Sequence, residues 1–202
     1  MDNAVALVQA YLRVNGYFTV AEYPVIEAVE TGGYRTVTDL DILAFRFPNA
    51  GRLVPGRGPK RQENLFAPDP NLGVPGDHPD LIIGEIKEGR AELNKGARET
   101  NAMRVALRRF GCCSQDDSPV VDQLLTNGTA RLTSGYQVRL VAFGTAPPTE
   151  PEPLYKVILL QQVKAFLETY IREYWKILRH AQFKDQGLGF LVTLEKVRRA
   201  GS

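Results

Sequence analysis

The chain has 202 residues, of which 44% are hydrophobic and 24% charged, and its net charge of +2 is mild. These values fit a single globular domain with a sizeable core. No apolar run reaches membrane-spanning length and no signal-peptide pattern opens Met1-Asp2-Asn3, so the expectation is a cytoplasmic protein with no membrane partner. The slightly basic balance neither requires nor opposes a nucleic-acid partner.

Val5, Leu7, Val8, Tyr11 and Leu12 recur at helical spacing, and Asn15-Gly16 closes the run, so a helix is predicted from about Asp2 to Val14. Gln9 is the comparable polar group in its interior. Residues 16 to 28 are β-favouring and read as a strand, Gly32-Gly33 as a turn, and Tyr34 to Phe45 as a second strand. That second strand carries Asp39 and Asp41 on one face, and either could serve as a ligand; Asp41 is preferred because it lies deeper in the strand.

Arg46 to His78 is rich in Pro and Gly and is read as a flexible insertion. Its Arg52, Arg57, Lys60 and Arg61 suggest a flap over phosphates, with Arg57 and Lys60 as substrate-binding candidates. A solvated excursion is the plain alternative. Leu81 to Lys87 reads as a central strand, apolar on both faces at Leu81-Ile82-Ile83. Asp80, about 16 Å before Glu85 along such a strand, is assigned to its entrance.

Glu85 and Lys87 leave this strand on one face. A neighbouring strand carrying Asp41 would set two carboxylates and an ammonium together. Burying carboxylates costs several kcal/mol unless they are compensated. A hard cation, Mg²⁺ or Mn²⁺, would supply that compensation, polarise a phosphodiester and activate a water. Lys87 would orient the water or neutralise developing charge.

After Glu88-Gly89-Arg90 a basic helix is expected from about Ala97 to Phe110, its arginines forming either a solvated face or a phosphate-contacting ridge. Arg90, Asn94 and Lys95 lie nearer the Glu85-Ile86-Lys87 strand and are the better substrate-binding candidates. Cys112 and Cys113 are adjacent and only two histidines are present, so no zinc pattern forms and reduced thiols are expected. Ser118-Pro119 opens a short helix over 120–126. A strand over 130–133 and a core strand from Tyr136 to Phe143 follow.

Residues 146–153 form a stiff Pro-rich linker. Beyond it, Leu160 to Leu178 marks a long amphipathic helix; its Trp175 and tyrosines suit either the core or a homodimer surface. The tail from Gly187 to Leu194 has no decisive pattern.

Asp41 within Asp-Ile-Leu-Ala, followed by the tripeptide Glu85-Ile86-Lys87, resembles the PD-(D/E)xK nuclease superfamily, which includes many restriction endonucleases and archaeal Holliday-junction resolvases. The likeness covers roughly residues 1–143. It implies an α/β, restriction-endonuclease-like three-layer core: helix, three strands, helix, strand, with a mixed central sheet. The whole chain, 1–202, would be one such domain with an insertion at about 46–78 and a C-terminal helical extension at about 154–202. The resemblance further implies metal ligation by Asp41, Glu85 and the Ile86 carbonyl, with Lys87 as the catalytic lysine. It implies a metal-dependent nuclease acting on DNA. A non-catalytic nucleic-acid-binding or structural module on the same fold is the alternative. The first helix departs from the family pattern: it has no interior glutamate. Glu22 and Glu27, on the following strand, are the substitutes in view.

Overall fold

The computed structural model describes residues 2–52, 67–112 and 117–201. Arg57, Lys60, Arg61 and Cys113 lie outside the described residues. Among the described residues the order is α1 (Asn3–Val14), β1 (Phe18–Ala28), β2 (Tyr34–Arg46), β3 (Asp80–Arg90), α2 (Thr100–Phe110), α3 (Ser118–Asn127), β4 (Thr129–Arg131), β5 (Gln137–Ala146), β6 (Lys156–Leu159), α4 (Leu160–Glu173), the single-turn α5 (Trp175–Leu178) and α6 (Gln186–Ala200). It is an α/β protein with a mixed six-stranded sheet and six helices.

The sheet runs β1-β2-β3-β5-β4. β1–β2 and β2–β3 are antiparallel, whereas β3 and β5 run parallel. The far edge of β5 is shared: its first residues pair antiparallel with β4, and Val141 to Gly144 pair parallel with β6. β3 and β5 lie inside the sheet, and their apolar residues on both faces reflect it.

Helices cover both faces. On one, α1, α4 and α6 pack over Ile42, Ala44, Ile82, Ile86, Val141 and Phe143. On the other, α2 and α3 pack over Leu40, Leu43, Leu81, Ile83, Val138 and Leu140. β2, β3 and β5 therefore divide their side chains between two buried clusters.

Several elements differ from the sequence expectation. The basic helix begins at Thr100, because Glu99 is extended (ψ 142°) and separates it from a 3-10 turn over Gly96–Arg98. The long C-terminal helix breaks at Tyr174. The tail is helical despite Gly187 and Gly189. Asp185 caps it by accepting from the Leu188 amide at 2.8 Å, and Gly187 lies so close to α1 that a Cβ there would meet the Ala6 carbonyl oxygen at 2.5 Å. The glycines serve close packing here. β6 was not expected; four residues beside a Pro-rich segment carry too little periodicity to announce a strand.

Asp80 is fully buried, and its job is structural. Arg139 donates to both its oxygens, at 2.9 and 2.7 Å, and Tyr17 donates to it as well. Arg139 also donates to the Leu72 carbonyl at 2.8 Å. Nearby, Asn15 accepts from Arg46 through its carbonyl (3.0 Å) and from the Asp69 amide through its side chain (2.7 Å). Tyr11 donates to Asp69 at 2.8 Å. Burial against these anions pushes the Tyr11 and Tyr17 hydroxyls far above the ordinary phenol range.

Candidate functional site

Two ladders lapse at Asp41. Between β1 and β2, Ala21 pairs with Ile42 and Tyr23 with Leu40, and the intervening Glu22–Asp41 pair is missing. Glu22 stands at φ +53°, a left-handed conformation that costs a non-glycine residue. Between β2 and β3, pairing runs from Arg46–Asp80 to Ile42–Gly84 and no further. Leu40 and Leu43 enter the same cluster although they are three residues apart, so strict alternation breaks between them. Asp41 therefore occupies a local kink, and its carboxylate takes over from the ladder by accepting the Ile86 amide at 2.7 Å. Glu22, opposite Asp41 on β1, is exposed, and Glu27 pairs with Arg35 at 2.6 Å.

Glu85 stands one step along β3 from the last paired residue, Gly84. Its side chain is only 2% exposed. Lys87 Nζ donates to Glu85 Oε1 at 2.6 Å and Asn94 Nδ2 donates to the same oxygen at 2.7 Å. The other oxygen, Oε2, is buried and has no hydrogen-bond partner among the described residues. A buried carboxylate oxygen without a donor is costly, and native proteins rarely leave one without a reason.

The electrostatics tie these residues together. Burial raises the Asp41 carboxyl above its usual range; the Ile86 amide and the Lys87 charge oppose the rise, while Asp2 and Asp39 reinforce it. Burial likewise raises Glu85. The Lys87 hydrogen bond lowers it, Asp41 raises it again, and Asn94 lowers it. Glu85 thus feels the Asp41 charge, and both carboxylates feel Lys87. Asp2, which caps α1 by accepting from the Ala4 amide at 3.0 Å, brings a further acid into the field of Asp41. Its proximity could not be read from sequence spacing, because only the packing of α1 on the sheet produces it.

The structure thus gathers Asp41, Glu85, Ile86 and Lys87 at one point. The Ile86 carbonyl leaves from the strand edge on which its amide meets Asp41, since the two polar groups of an extended residue share an edge. Asn94 is at the same point but faces Glu85, not open solvent. Arg90 ends β3 and donates to the Pro147 carbonyl at 3.3 Å; Lys95 is exposed at the start of the 3-10 turn. Asp39 is exposed opposite Pro24. Arg57 and Lys60 lie outside the described residues.

The donors this point could offer a divalent cation are all oxygens. Among the described residues no three His, Cys, Asp or Glu side chains converge as a set, so the available ligands are two carboxylates and backbone oxygen. Oxygen ligands of this type suit Mg²⁺ or Mn²⁺, which commonly keep several waters. The orphaned Glu85 Oε2 is the atom that would gain most from an ion.

The other face of the α2 layer carries a second polar feature. Arg104 and Arg108 approach the nearly buried Asp117 at 3.2 and 3.4 Å, and the Arg109 guanidinium lies 5.5 Å from the centre of the Tyr23 ring. No helix among the described residues is long and apolar enough to cross a membrane. Comparison with protein-family models, with curated proteins and with solved structures finds no match to this chain.

Proposed function

We propose that this chain is a metal-dependent phosphodiester hydrolase acting on nucleic acid, with DNA the favoured substrate and Mg²⁺ or Mn²⁺ the cofactor. The observation that carries the reading is Glu85: a buried carboxylate with one oxygen held by Lys87 and Asn94 and the other without a donor, beside Asp41. The resemblance to the PD-(D/E)xK superfamily supports it, as does the order helix, three strands, helices, strand. On this reading the central elements form a restriction-endonuclease-like core with an added C-terminal helical layer.

Asp41, Glu85 and the Ile86 carbonyl would hold the ion. When bound, it would polarise the scissile phosphate and lower the pKa of a water. The residues contribute the rest. The Ile86 amide fixes the Asp41 carboxylate, so one ligand is preorganised by backbone. Lys87, 38% exposed, can leave Glu85 for a phosphate oxygen or an attacking water. A cation at Oε2 would replace the charge compensation that Glu85 loses when the ammonium departs.

The test is cleavage of plasmid DNA with MnCl₂ or MgCl₂, together with calorimetric titration of Mn²⁺. Lys87→Ala and Asp41→Ala are expected to lose at least about 100-fold in cleavage rate while retaining wild-type circular dichroism. Undiminished cleavage by either variant rejects this site. A second reading is a non-catalytic nucleic-acid-binding or structural module on the same fold. The 2.6 Å Lys87–Glu85 bond favours it, because it already compensates half of the carboxylate without an ion. Wild-type protein that binds no Mn²⁺ would select this module.

A further inference from the structure

Asn94 was expected to contact substrate, but its amide is engaged at both ends. Its Oδ1 accepts from the Ala97 backbone amide at 2.5 Å, and its Nδ2 donates to Glu85 Oε1 at 2.7 Å. The first bond decides which way round the amide sits: only oxygen can accept from a backbone N–H, so nitrogen must face the carboxylate. The 3-10 turn that supplies Ala97 is itself seated on β2. Ala97 is buried, and a Cβ on Gly96 would meet Thr38 Cβ at 2.9 Å. Asn94 is therefore a short strut between a packed turn and Glu85.

The two donors on Glu85 Oε1 differ in kind. Lys87 is charged, long and 38% exposed. Asn94 is neutral, half-buried and held by backbone. If Lys87 moves to a phosphate, Asn94 is the donor that stays.

We propose that Asn94 is a positioning residue: it pins Glu85 Oε1 so that Oε2 remains presented to a divalent cation while Lys87 is released to substrate. This rests on the metal-site reading above. It assigns to Asn94 a role in ion affinity instead of substrate contact.

The experiment is titration of the full chain with MnCl₂, followed by calorimetry and by the Mn²⁺ electron paramagnetic resonance signal. Five proteins are compared: wild type, Glu85→Gln, Asn94→Ser, Asn94→Thr and Lys87→Ala. Serine and threonine keep a hydroxyl oxygen that can accept from the Ala97 amide but are too short to reach Glu85. Each therefore preserves the turn, and either serves if the other does not fold. The expected result is Mn²⁺ affinity about tenfold weaker in Asn94→Ser or Asn94→Thr, at a melting temperature close to wild type, with Lys87→Ala binding as tightly as wild type or more tightly. Affinity within twofold of wild type in a folded Asn94 variant overturns the inference and leaves the metal site standing. Wild type that binds no better than Glu85→Gln overturns the metal site, and this inference with it.

Discussion

Asp41 and Glu85 both hold carboxyls raised above their usual range, first through burial, and the Asp41 charge raises Glu85 further. Between the ordinary carboxylate pKa near 4 and the raised folded values, the native state binds more protons than the unfolded chain. Stability without metal therefore falls as pH rises through that window and stays lower above it. Asp41→Asn removes one of the two repelling charges and keeps an oxygen to accept the Ile86 amide. At pH 7, without divalent cation, this variant should be more stable by about 0.5–1 kcal/mol, the solvent screening of the half-exposed carboxylate being allowed for. In a chain of this size that is a melting temperature higher by about 1–4 °C. The advantage should vanish by about pH 2.5, well below the ordinary carboxylate pKa, where both acids are protonated in either state. Thermal melts across pH settle it; a variant that melts lower at pH 7, or a gain independent of pH, would show that the two carboxylates do not repel.

At the scale of elements, the site depends on β3 running between two dissimilar neighbours. On one side β2 stops pairing at Ile42–Gly84, which opens room for carboxylates. On the other, β5 stays paired in register through Glu85–Ala142 to Lys87–Gly144, and after an irregularity pairs again at Arg90–Ala146. Gly144 permits the chain after β3 to fold back tightly: a Cβ there would meet the Ala91 nitrogen at 2.5 Å and its Cα at 2.7 Å. These are backbone atoms and cannot rotate away. Gly144→Ala should cost about 2 kcal/mol or more in urea unfolding. A loss below about 0.5 kcal/mol would mean that this edge shifts freely. The lapse at Asp41 is complementary: the Glu22–Asp41 pair is missing from the β1–β2 ladder, with Glu22 at φ +53°.

At the scale of the whole molecule, a buried polar network lies at the opposite end of β3 from the site, about five residues or 16 Å away. Asp80, Arg139 and Tyr17 form its centre. Beside it, Asn15 accepts from both Arg46 and the Asp69 amide. Removing one partner of such a pair leaves an uncompensated buried charge. Arg139→Met should therefore destabilise the protein by about 3–5 kcal/mol, and adding Asp80→Leu should recover much of that loss. If the double variant is no more stable than the single one, the ion pair itself is not the source of the cost. Trp175, a candidate for a dimer surface, is half-buried against the α1 layer and covered by Arg199 at 4.8 Å. The exposed apolar side chains of the C-terminal layer are instead Phe190, Leu194 and Val197 on α6.

Periodicity located α1, β1, β2, β3 and β5 to within a few residues, because each carries a long amphipathic or doubly apolar pattern that local physics reads in one way, and the Ser118-Pro119 cap located α3. It also singled out Asp41, Glu85 and Lys87, since charge inside an apolar strand is conspicuous whatever the fold. It did not find β6, the break at Glu99 or the helical character of α6. In those cases a neighbour overrode weak local preference: β5 recruits four residues as a strand, and α1 accepts a glycine-bearing helix at close range. The contacts of Asn94 with Glu85 and of Asp2 with the field of Asp41 were equally invisible. A neutral amide or a helix cap has no chemical signature until the tertiary structure sets it against a particular carboxylate. Composition and alternation therefore determined which residues could do chemistry, and the packing of the 3-10 turn and α1 onto the sheet decided which of them meet.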